Sequence, residues 1–298
     1  MAASRSQVFA RAFRDDAAES RTDFGPIAKP RLVARSDGAE QRLARLFRTI
    51  EVEVIPRLVL ARCAAPESPG DRASAGTVPA VREVAEFAGL VLTKETEAAS
   101  AYVEALRARG TSVETLYLDL LAPAARQLGE LWTADILSFT EVTLGLCRLH
   151  QVLHELSPAF RSEAAQPEHG RRALLAPVPG EQHSFGLIMV AEFFRRAGWD
   201  VWSGPPASSA DLARVVRSKW FAVVGLSVSC DGRLDALASA IRVIRRASRN
   251  RAIGVLVGGP VFVEHPELVT LVGADATATD GRQAALQARN LLALLARR

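Results

Sequence analysis

The chain has few cysteines and no long apolar run, and each shortage excludes a class of protein. Cys63, Cys147 and Cys230 are odd in number and widely spaced, which argues against a disulfide framework and against a zinc site. No apolar segment approaches the ~18 residues that a membrane-spanning helix needs. The first residues, Met1 to Arg5, lack the apolar core of a secretion signal. We therefore expect a reduced, soluble protein of the cytoplasm that does not associate with a membrane.

Lysine is scarce as well, since only Lys29, Lys94 and Lys219 occur among the 37 basic residues. The net charge is only +4, so the arginine bias indicates a GC-rich genome more readily than a nucleic-acid surface. The densest basic stretch lies on and after one predicted helix, at Arg242, Arg245, Arg246, Arg249 and Arg251. The ordinary interpretation of such a stretch is a solvated helix face.

The length of 298 residues and the 49% hydrophobic content allow two domains with real cores. Residues 1–40 are polar and interrupted by glycine and proline, which predicts a disordered or weakly ordered segment. Residues 41–79 are predicted to hold one amphipathic helix, to about residue 62, and then a linker. The N-terminal quarter is therefore not expected to form a domain of its own.

Residues 80–160 are predicted to form four helices with short connections, the pattern of an antiparallel bundle. Two of these helices begin with a capping box, in which a hydroxyl and a glutamate each satisfy free backbone N–H groups. The boxes are Thr111 with Glu114 at the third helix and Ser138 with Glu141 at the fourth. Pro123 lies inside the third helix and predicts a kink there.

Residues 171–298 alternate between short apolar runs and longer amphipathic segments. Strands are predicted at 173–178, 199–203, 221–227, 252–257 and 274–278. Helices are predicted at about 185–197, 208–218, 232–248, 264–271 and 281–297. Strands separated by helices form right-handed crossovers in a parallel sheet. The pattern predicts a flavodoxin-like, doubly wound domain with five parallel strands.

Three short motifs follow three of these predicted strands. They are Glu181-Gln182-His183-Ser184-Phe185-Gly186, Ser227-Val228-Ser229 and Gly258-Gly259-Pro260. A histidine in such a loop is usually a solvated residue when it stands alone, and a Gly-Gly pair is usually a tight turn. Open α/β sheets, however, bind ligands outside the carboxyl ends of their strands. The succession of the motifs along one edge of the sheet therefore favours a binding site.

The first motif matches the acidic-x-His-x-x-Gly signature of cobalamin-binding domains, and the chain resembles that family over residues 171–298. The resemblance implies that the dimethylbenzimidazole tail of cobalamin leaves the cobalt and threads into the domain. It implies that His183 ligates the cobalt from the lower face and that Glu181 orients this histidine. The other residues implied to contact the cofactor or its tail are Ser184, Gly186, Ser227, Ser229, Gly258 and Gly259. Glu181 and Ser229 depart from the family, which usually has Asp and Leu there.

The bundle resembles the helical module that precedes this domain in cobalamin photoreceptors and in methyl-carrying corrinoid proteins. The resemblance rests on the runs Leu128-Gly129-Glu130-Leu131-Trp132 and Ser138-Phe139-Thr140-Glu141-Val142-Thr143. It implies that the Trp132 region covers the upper face of the corrin, although a tryptophan at a bundle end is also an ordinary core residue. Light-sensing relatives have a Glu-His pair here, whereas this chain has Glu141-Val142. His150 and His154 are candidate substitutes, and their spacing also suits two metal ligands or a plain polar helix face.

No substrate-binding barrel fits into this length, and no further cluster of acids, bases or nucleophiles suggests catalysis, so we do not expect an enzyme. Residues 1–79 offer too little helix for a helix-turn-helix domain. The remaining pattern resembles the AerR/PpaA group of cobalamin-binding antirepressors of photosynthesis genes. The resemblance implies a sensor, responsive to light or to the state of adenosyl-, methyl- or hydroxocobalamin. Such a sensor acts through a partner repressor and contacts DNA only indirectly or weakly. The alternative is a corrinoid methyl carrier that serves a methyltransferase.

Overall fold

The computed structural model describes residues 78–93, 96–162, 164, 166, 170–204, 206 and 208–295. The predictions for residues 1–40 and for the helix over 41–62 lie outside this range, as does nearly all of the linker that follows. Within the described residues, no helix is both long and apolar enough to cross a membrane.

Four helical stretches form the first half of the described chain. They are α1 (Val81–Thr93), α2 (Thr96–Ala108), α3 and α4 (Phe139–Arg161). α3 consists of three consecutive segments: α-helical Val113–Thr115, π-helical Leu116–Leu121 and α-helical Ala122–Thr133. α1, α3 and α4 pack against one another, and each buries an apolar stripe.

The third helix differs from its prediction in two ways. Its cap is Ser112 and not Thr111, because the Ser112 hydroxyl accepts a hydrogen bond from the N–H of Thr115 at 3.0 Å. The predicted kink at Pro123 is a π-helical segment that comes directly before the proline, which lies in the first turn of the next segment. A proline lacks the N–H that an α-helical ladder needs, and a π segment is one way for a helix to absorb that loss.

The fourth helix begins as predicted, with a complete capping box. Glu141 Oε2 accepts from the backbone N–H of Ser138 at 2.8 Å, and the N–H of Glu141 donates to the Ser138 hydroxyl at 3.3 Å. The helix continues to Arg161, about one turn beyond Ser157, where the sequence predicted its end. That extra turn matters because Arg161 binds a buried carboxylate of the second half of the chain.

The second half is a five-stranded parallel sheet with helices on both faces, which confirms the predicted fold class. The strands are β1 (Arg172–Pro177), β2 (Asp200–Ser203), β3 (Val223–Ser227), β4 (Gly254–Gly258) and β5 (Ala276–Thr277), in the spatial order β2-β1-β3-β4-β5. The helices are α5 (Phe185–Arg196), α6 (Ser209–Ser218), α7 (Leu234–Ala247), α8 (Pro260–Glu264), α9 (Leu268–Leu271) and α10 (Gly281–Leu295). The helix predicted at 264–271 is in fact two short helices, α8 and α9.

The bundle and the sheet share one hydrophobic core. α5 lies between them and packs on α4 on one side and on β1 and β2 on the other, and α10 packs beside α5 on β4 and β5. Phe193 of α5 stacks edge-on against Tyr117 and Phe160 of the bundle, with ring centroids 6.2 and 4.9 Å away. The opposite face of the sheet is covered by α6 and α7 and forms a second core.

A buried carboxylate fastens the bundle to α5. Glu192 is 3% exposed and accepts from the Ser157 hydroxyl at 2.7 Å and from Arg161 Nε and Nη2 at 2.7 and 2.5 Å. Arg195 Nη1 adds a bond at 2.9 Å. Burial raises the pKa of Glu192, but the hydrogen bonds from Arg161 and Ser157 outweigh it and hold the pKa below its usual value. We call this group the Glu192 clamp.

Candidate functional site

The three sequence motifs meet at the carboxyl edge of the sheet. β1 and β3 are paired so that Pro177 lies opposite Ser227, and β3 and β4 are paired so that Ser227 lies opposite Gly258. The loop with His183 leaves β1 at this same edge and enters α5. The parallel register therefore brings together three motifs that lie far apart in the sequence.

Glu181 holds His183 in a defined orientation. Oε1 of Glu181 lies 2.6 Å from His183 Nδ1 and also accepts the backbone N–H of His183 at 3.0 Å. The Glu181 side chain is 2% exposed, whereas that of His183 is 65% exposed. A carboxylate can only accept, so Nδ1 carries the proton and the lone pair of Nε2 points away from this bond. A neutral imidazole held in this way is suited to ligate a metal through Nε2.

The second oxygen of Glu181 is bound by the loop after β3. Ser229 donates to Oε2 from its hydroxyl at 2.6 Å and from its backbone N–H at 2.9 Å, and Arg233 Nε lies 3.9 Å away. Burial raises the pKa of Glu181, but the bonds from Ser229 and His183 overcome it and lower the pKa to about 2. Ser229, at the position where the family usually has leucine, therefore has a hydrogen-bond partner in Glu181. The sequence alone did not indicate Arg233.

Replacing Glu181 with glutamine should weaken cobalamin binding about 10–100-fold, because the amide has one acceptor oxygen where the carboxylate has two, and either His183 or Ser229 then faces an NH2 group. The variant should also lose about 1.5–3 kcal/mol of stability at neutral pH, since a charge-assisted bond becomes a neutral one. In the native protein, the stabilisation from Glu181 is complete above pH 4.5 and disappears as the pH falls towards 2, because the folded pKa is depressed. Urea unfolding of the native and E181Q proteins at pH 7 and pH 3 measures this contribution. The difference in their free energies of unfolding should be smaller at pH 3. A difference that does not change with pH would contradict the depressed pKa of Glu181.

Two buried hydroxyls at the same edge have no hydrogen-bond partner among the described residues. They are Ser227 Oγ at the end of β3 and Thr277 Oγ1 at the end of β5. Ser227 is paired with Gly258, where a Cβ would meet no atom within 4 Å, whereas Thr277 is paired with Val257 and therefore faces the other side of the sheet. Buried hydroxyls are normally satisfied, and leaving one unpaired costs about 1–3 kcal/mol. The unpaired Ser227 hydroxyl beside an open glycine fits a ligand with polar atoms at the end of β3, as the nucleotide tail of cobalamin would.

The glycines of the motifs have different roles. Gly259 adopts a φ of 128°, and a Cβ at this position would collide with the carbonyl oxygen of Val228. Only glycine fits at position 259, because the loop that follows β3 leaves no room for a side chain there. Gly186, by contrast, is exposed at the start of α5, where a Cβ would meet no protein atom. Ser184 immediately precedes that helix and makes no capping bond through its side chain.

The bundle extends past this edge of the sheet. His150 of α4 contacts Phe185, the first residue of α5, with ring centroids 5.0 Å apart, and Ser157 bonds Glu192 seven residues further along both helices. α4 and α5 therefore run in the same direction. Since α4 begins at Phe139, its first eleven residues extend about 16 Å beyond the start of α5. This overhang lies on the side of the sheet where His183 is placed.

The overhanging end of the bundle exposes large apolar side chains. Trp132, Ile136 and Phe139 are 45, 66 and 73% exposed. Of the predicted upper-face residues, Glu141 is engaged in the cap of α4 and Val142 is buried. Glu141 is nevertheless exposed, so Trp132 is the predicted upper-face residue that exposes an apolar side chain there.

The two histidines of α4 have different surroundings. His150 is half-buried, with Nδ1 2.8 Å from the carbonyl oxygen of Leu146 and its ring edge-on to Phe185. His154, one turn later, is exposed. No group of three or more His, Cys, Asp or Glu side chains that could hold a metal ion occurs in the described part of the chain. The structure thus gives no third ligand for a metal site on α4.

Comparison with known proteins agrees with this geometry. Residues 171–288 match a B12 binding domain model, and residues 84–154 match a second B12 binding domain model. The chain is 29% identical to an uncharacterised 20.5 kDa protein encoded in the bchF–crtJ intergenic region of Rhodobacter capsulatus, over 58% of this chain and 90% of that protein. The monomethylamine corrinoid protein of Methanosarcina barkeri shares the fold with a TM-score of 0.61. It is 13% identical, and the match covers 71% of this chain and all of that one.

The two matched regions coincide with the two halves of the described structure, the bundle and the α/β domain. Together they cover well over half of the chain. The residues at the carboxyl edge fit cobalamin, since they offer an oriented imidazole and the unpaired hydroxyl of Ser227. The chain therefore belongs to the B12-binding protein family, and it is a cobalamin-binding protein of the AerR/PpaA type.

Proposed function

We propose that the protein is a cytoplasmic, cobalamin-dependent sensor that regulates transcription through a partner repressor. The relative encoded beside photosynthesis genes supports this assignment. So does the connection between the cofactor site and the bundle, because α4 reaches the site at His150 and is fastened to α5 by the Glu192 clamp. This connection is the observation that carries the proposal, since a sensor must transmit the state of its cofactor to a surface.

His183 is the lower ligand of cobalt in this proposal. Glu181 keeps the proton on Nδ1, and Ser229 keeps Glu181 in place. Ser227 would donate its unpaired hydroxyl to a polar atom of the cofactor's tail. Cobalamin itself supplies an absorbing corrin and an upper cobalt ligand that light can remove. No acid, base or nucleophile outside this site is required, and the protein acts without catalysing a reaction.

In this proposal, the overhanging end of α4 carries the surface that binds the repressor. Trp132, Ile136 and Phe139 would pack on the bound cofactor, and loss of its light-sensitive ligand would release them. The clamp restrains the other end of α4, so the change is confined to the overhang. A ligand can shift a conformational equilibrium only through such differential contacts. The exposed apolar side chains then become available to the repressor.

A corrinoid methyl carrier is the competing function, favoured by the fold shared with the monomethylamine corrinoid protein. The two functions predict different behaviour of the purified protein loaded with adenosylcobalamin. A sensor should change its affinity for a repressor encoded near its gene at least tenfold on illumination, measured by surface plasmon resonance in darkness and light. A carrier should show equal affinity and should instead pass a methyl group from methylcobalamin to a methyltransferase. Equal affinity, despite a light-induced spectral change, would contradict the sensor.

A further inference from the structure

A basic surface lies at the amino edge of the sheet, opposite the edge that carries His183. The segment after α7 meets the segment after α6 there. The N–H of Arg249 donates to the carbonyl of Val216 and Asn250 Nδ2 donates to the carbonyl of Phe221, both at 2.9 Å. These bonds place five exposed basic side chains on adjacent segments, which we call the amino-edge surface: Arg217, Lys219, Arg246, Arg249 and Arg251.

The positive charge of this surface is not neutralised nearby. Arg214 pairs with Asp211 and Arg245 pairs with Asp275, but none of the five side chains pairs with a carboxylate in the part of the chain that the structure describes. The sequence explains why, since neither Asp nor Glu occurs at positions 212–230 or at positions 236–263. The acidic residues of α6 and α7 lie at their other ends.

Helix dipoles account for only part of this charge. The carboxyl end of a helix carries roughly half a negative charge, which favours basic residues in the last turn. Arg217 and Arg246 are in the last turns of α6 and α7 and are explained in this way. Lys219, Arg249 and Arg251 lie beyond the helix ends. Five positive charges therefore face roughly one negative charge from the two dipoles together.

We propose that the amino-edge surface binds the phosphate backbone of duplex DNA without reading its sequence. Four of its five residues are arginines, whose planar guanidinium group binds phosphate oxygens in pairs. A protein partner would need an apolar centre, and Trp220, 38% exposed, is the one exposed large apolar side chain among the described residues of these two segments. A row of phosphates needs no such centre. The surface is remote from the cofactor edge, so DNA and cobalamin can be bound at the same time.

The test uses the full-length protein loaded with hydroxocobalamin and a fluorescent duplex of random sequence, with anisotropy measured over a range of KCl concentrations. For five phosphate contacts, the plot of log affinity against log salt should have a slope of about −4 to −5. The triple variant R246Q/R249Q/R251Q should bind at least tenfold more weakly at low salt, and its slope should be less steep by about 2.7. The control R82Q/R126Q/R289Q removes the same charge from exposed positions elsewhere and should change neither quantity by more than a small amount.

Equal losses in the two triple variants would overturn the proposal, because they would show that only net charge matters. Failure of the native protein to bind the duplex at low salt would overturn it too. Tighter binding of poly-glutamate than of duplex would assign the surface to an acidic protein instead. The cobalamin spectrum should be the same in both variants, so that this result is separate from the light response of the proposed sensor.

Discussion

Replacing His183 with alanine should cost more cobalamin affinity than any other single change in the site. The loss should exceed the ~10–100-fold that is typical when only a supporting residue of a metal ligand is removed. His183 is 65% exposed, so the substitution leaves no cavity, and its cost to the unloaded protein is limited to the side-chain bond with Glu181, which keeps both bonds from Ser229. Equilibrium dialysis with hydroxocobalamin gives the affinity, and the absorption spectrum of any bound cofactor reports the change of the lower ligand.

Two controls make this experiment decisive. His154→Ala removes an exposed histidine from α4 and should change neither affinity nor spectrum. Free imidazole added to the H183A protein should restore part of the native spectrum, because it can occupy the vacated lower position. If the H183A protein retained native affinity and spectrum, His183 would not be the cobalt ligand.

Replacing Glu192 with alanine should destabilise the protein by about 1.5–3 kcal/mol, the range for losing hydrogen bonds to a charged group. The change leaves Arg161 and the Ser157 hydroxyl without their shared partner at a buried interface. The matched control is Asp200→Ala, which breaks an ion pair with Arg172 whose two side chains are 58 and 46% exposed. An exposed pair of this kind contributes only about 0–1 kcal/mol. Urea unfolding of the unloaded proteins measures both.

The Glu192 substitution also tests how the bundle and the α/β domain are joined. If the clamp fastens α4 to α5, limited proteolysis of the E192A protein should cut between residues 161 and 172 faster than in the D200A protein. Similar losses of stability in the two variants would mean that the shared apolar core, rather than the clamp, holds the two halves together.

Much of the fold follows from local pattern. The alternation of short apolar runs with amphipathic segments predicted all five strands to within three residues at each end, because buried parallel strands leave few polar positions. The exception is the segment from Pro260 to Leu271, where one helix was predicted and two short ones are present. Pro266 explains the break, since a proline removes a backbone donor and its ring disturbs the preceding turn.

Local pattern likewise predicted some residues of the site and missed others. His183, Ser227 and Gly258 were predicted because a parallel sheet brings the residues after its strands to one edge. Their contacts with cobalamin stay predictions. Thr277 was not singled out, although it also ends a strand at that edge, because no motif marks it. The role of Ser229 as the partner of Glu181 depends on a contact across 48 residues, which no local pattern encodes.

The sequence by itself determined the class of fold, the edge at which a ligand binds and the cofactor family, because periodicity and short motifs are local properties of the chain. Only the tertiary structure decided which side chains are paired and which remain unpaired. Glu114, predicted as part of a helix cap, instead bonds Arg196 at 2.8 Å and also contacts Arg282. Glu192 is buried among donors from two helices, and five basic residues of α6, α7 and the segments after them are left without carboxylate partners among the described residues. The free energy of a charge depends on what surrounds it, and distant segments supply those surroundings.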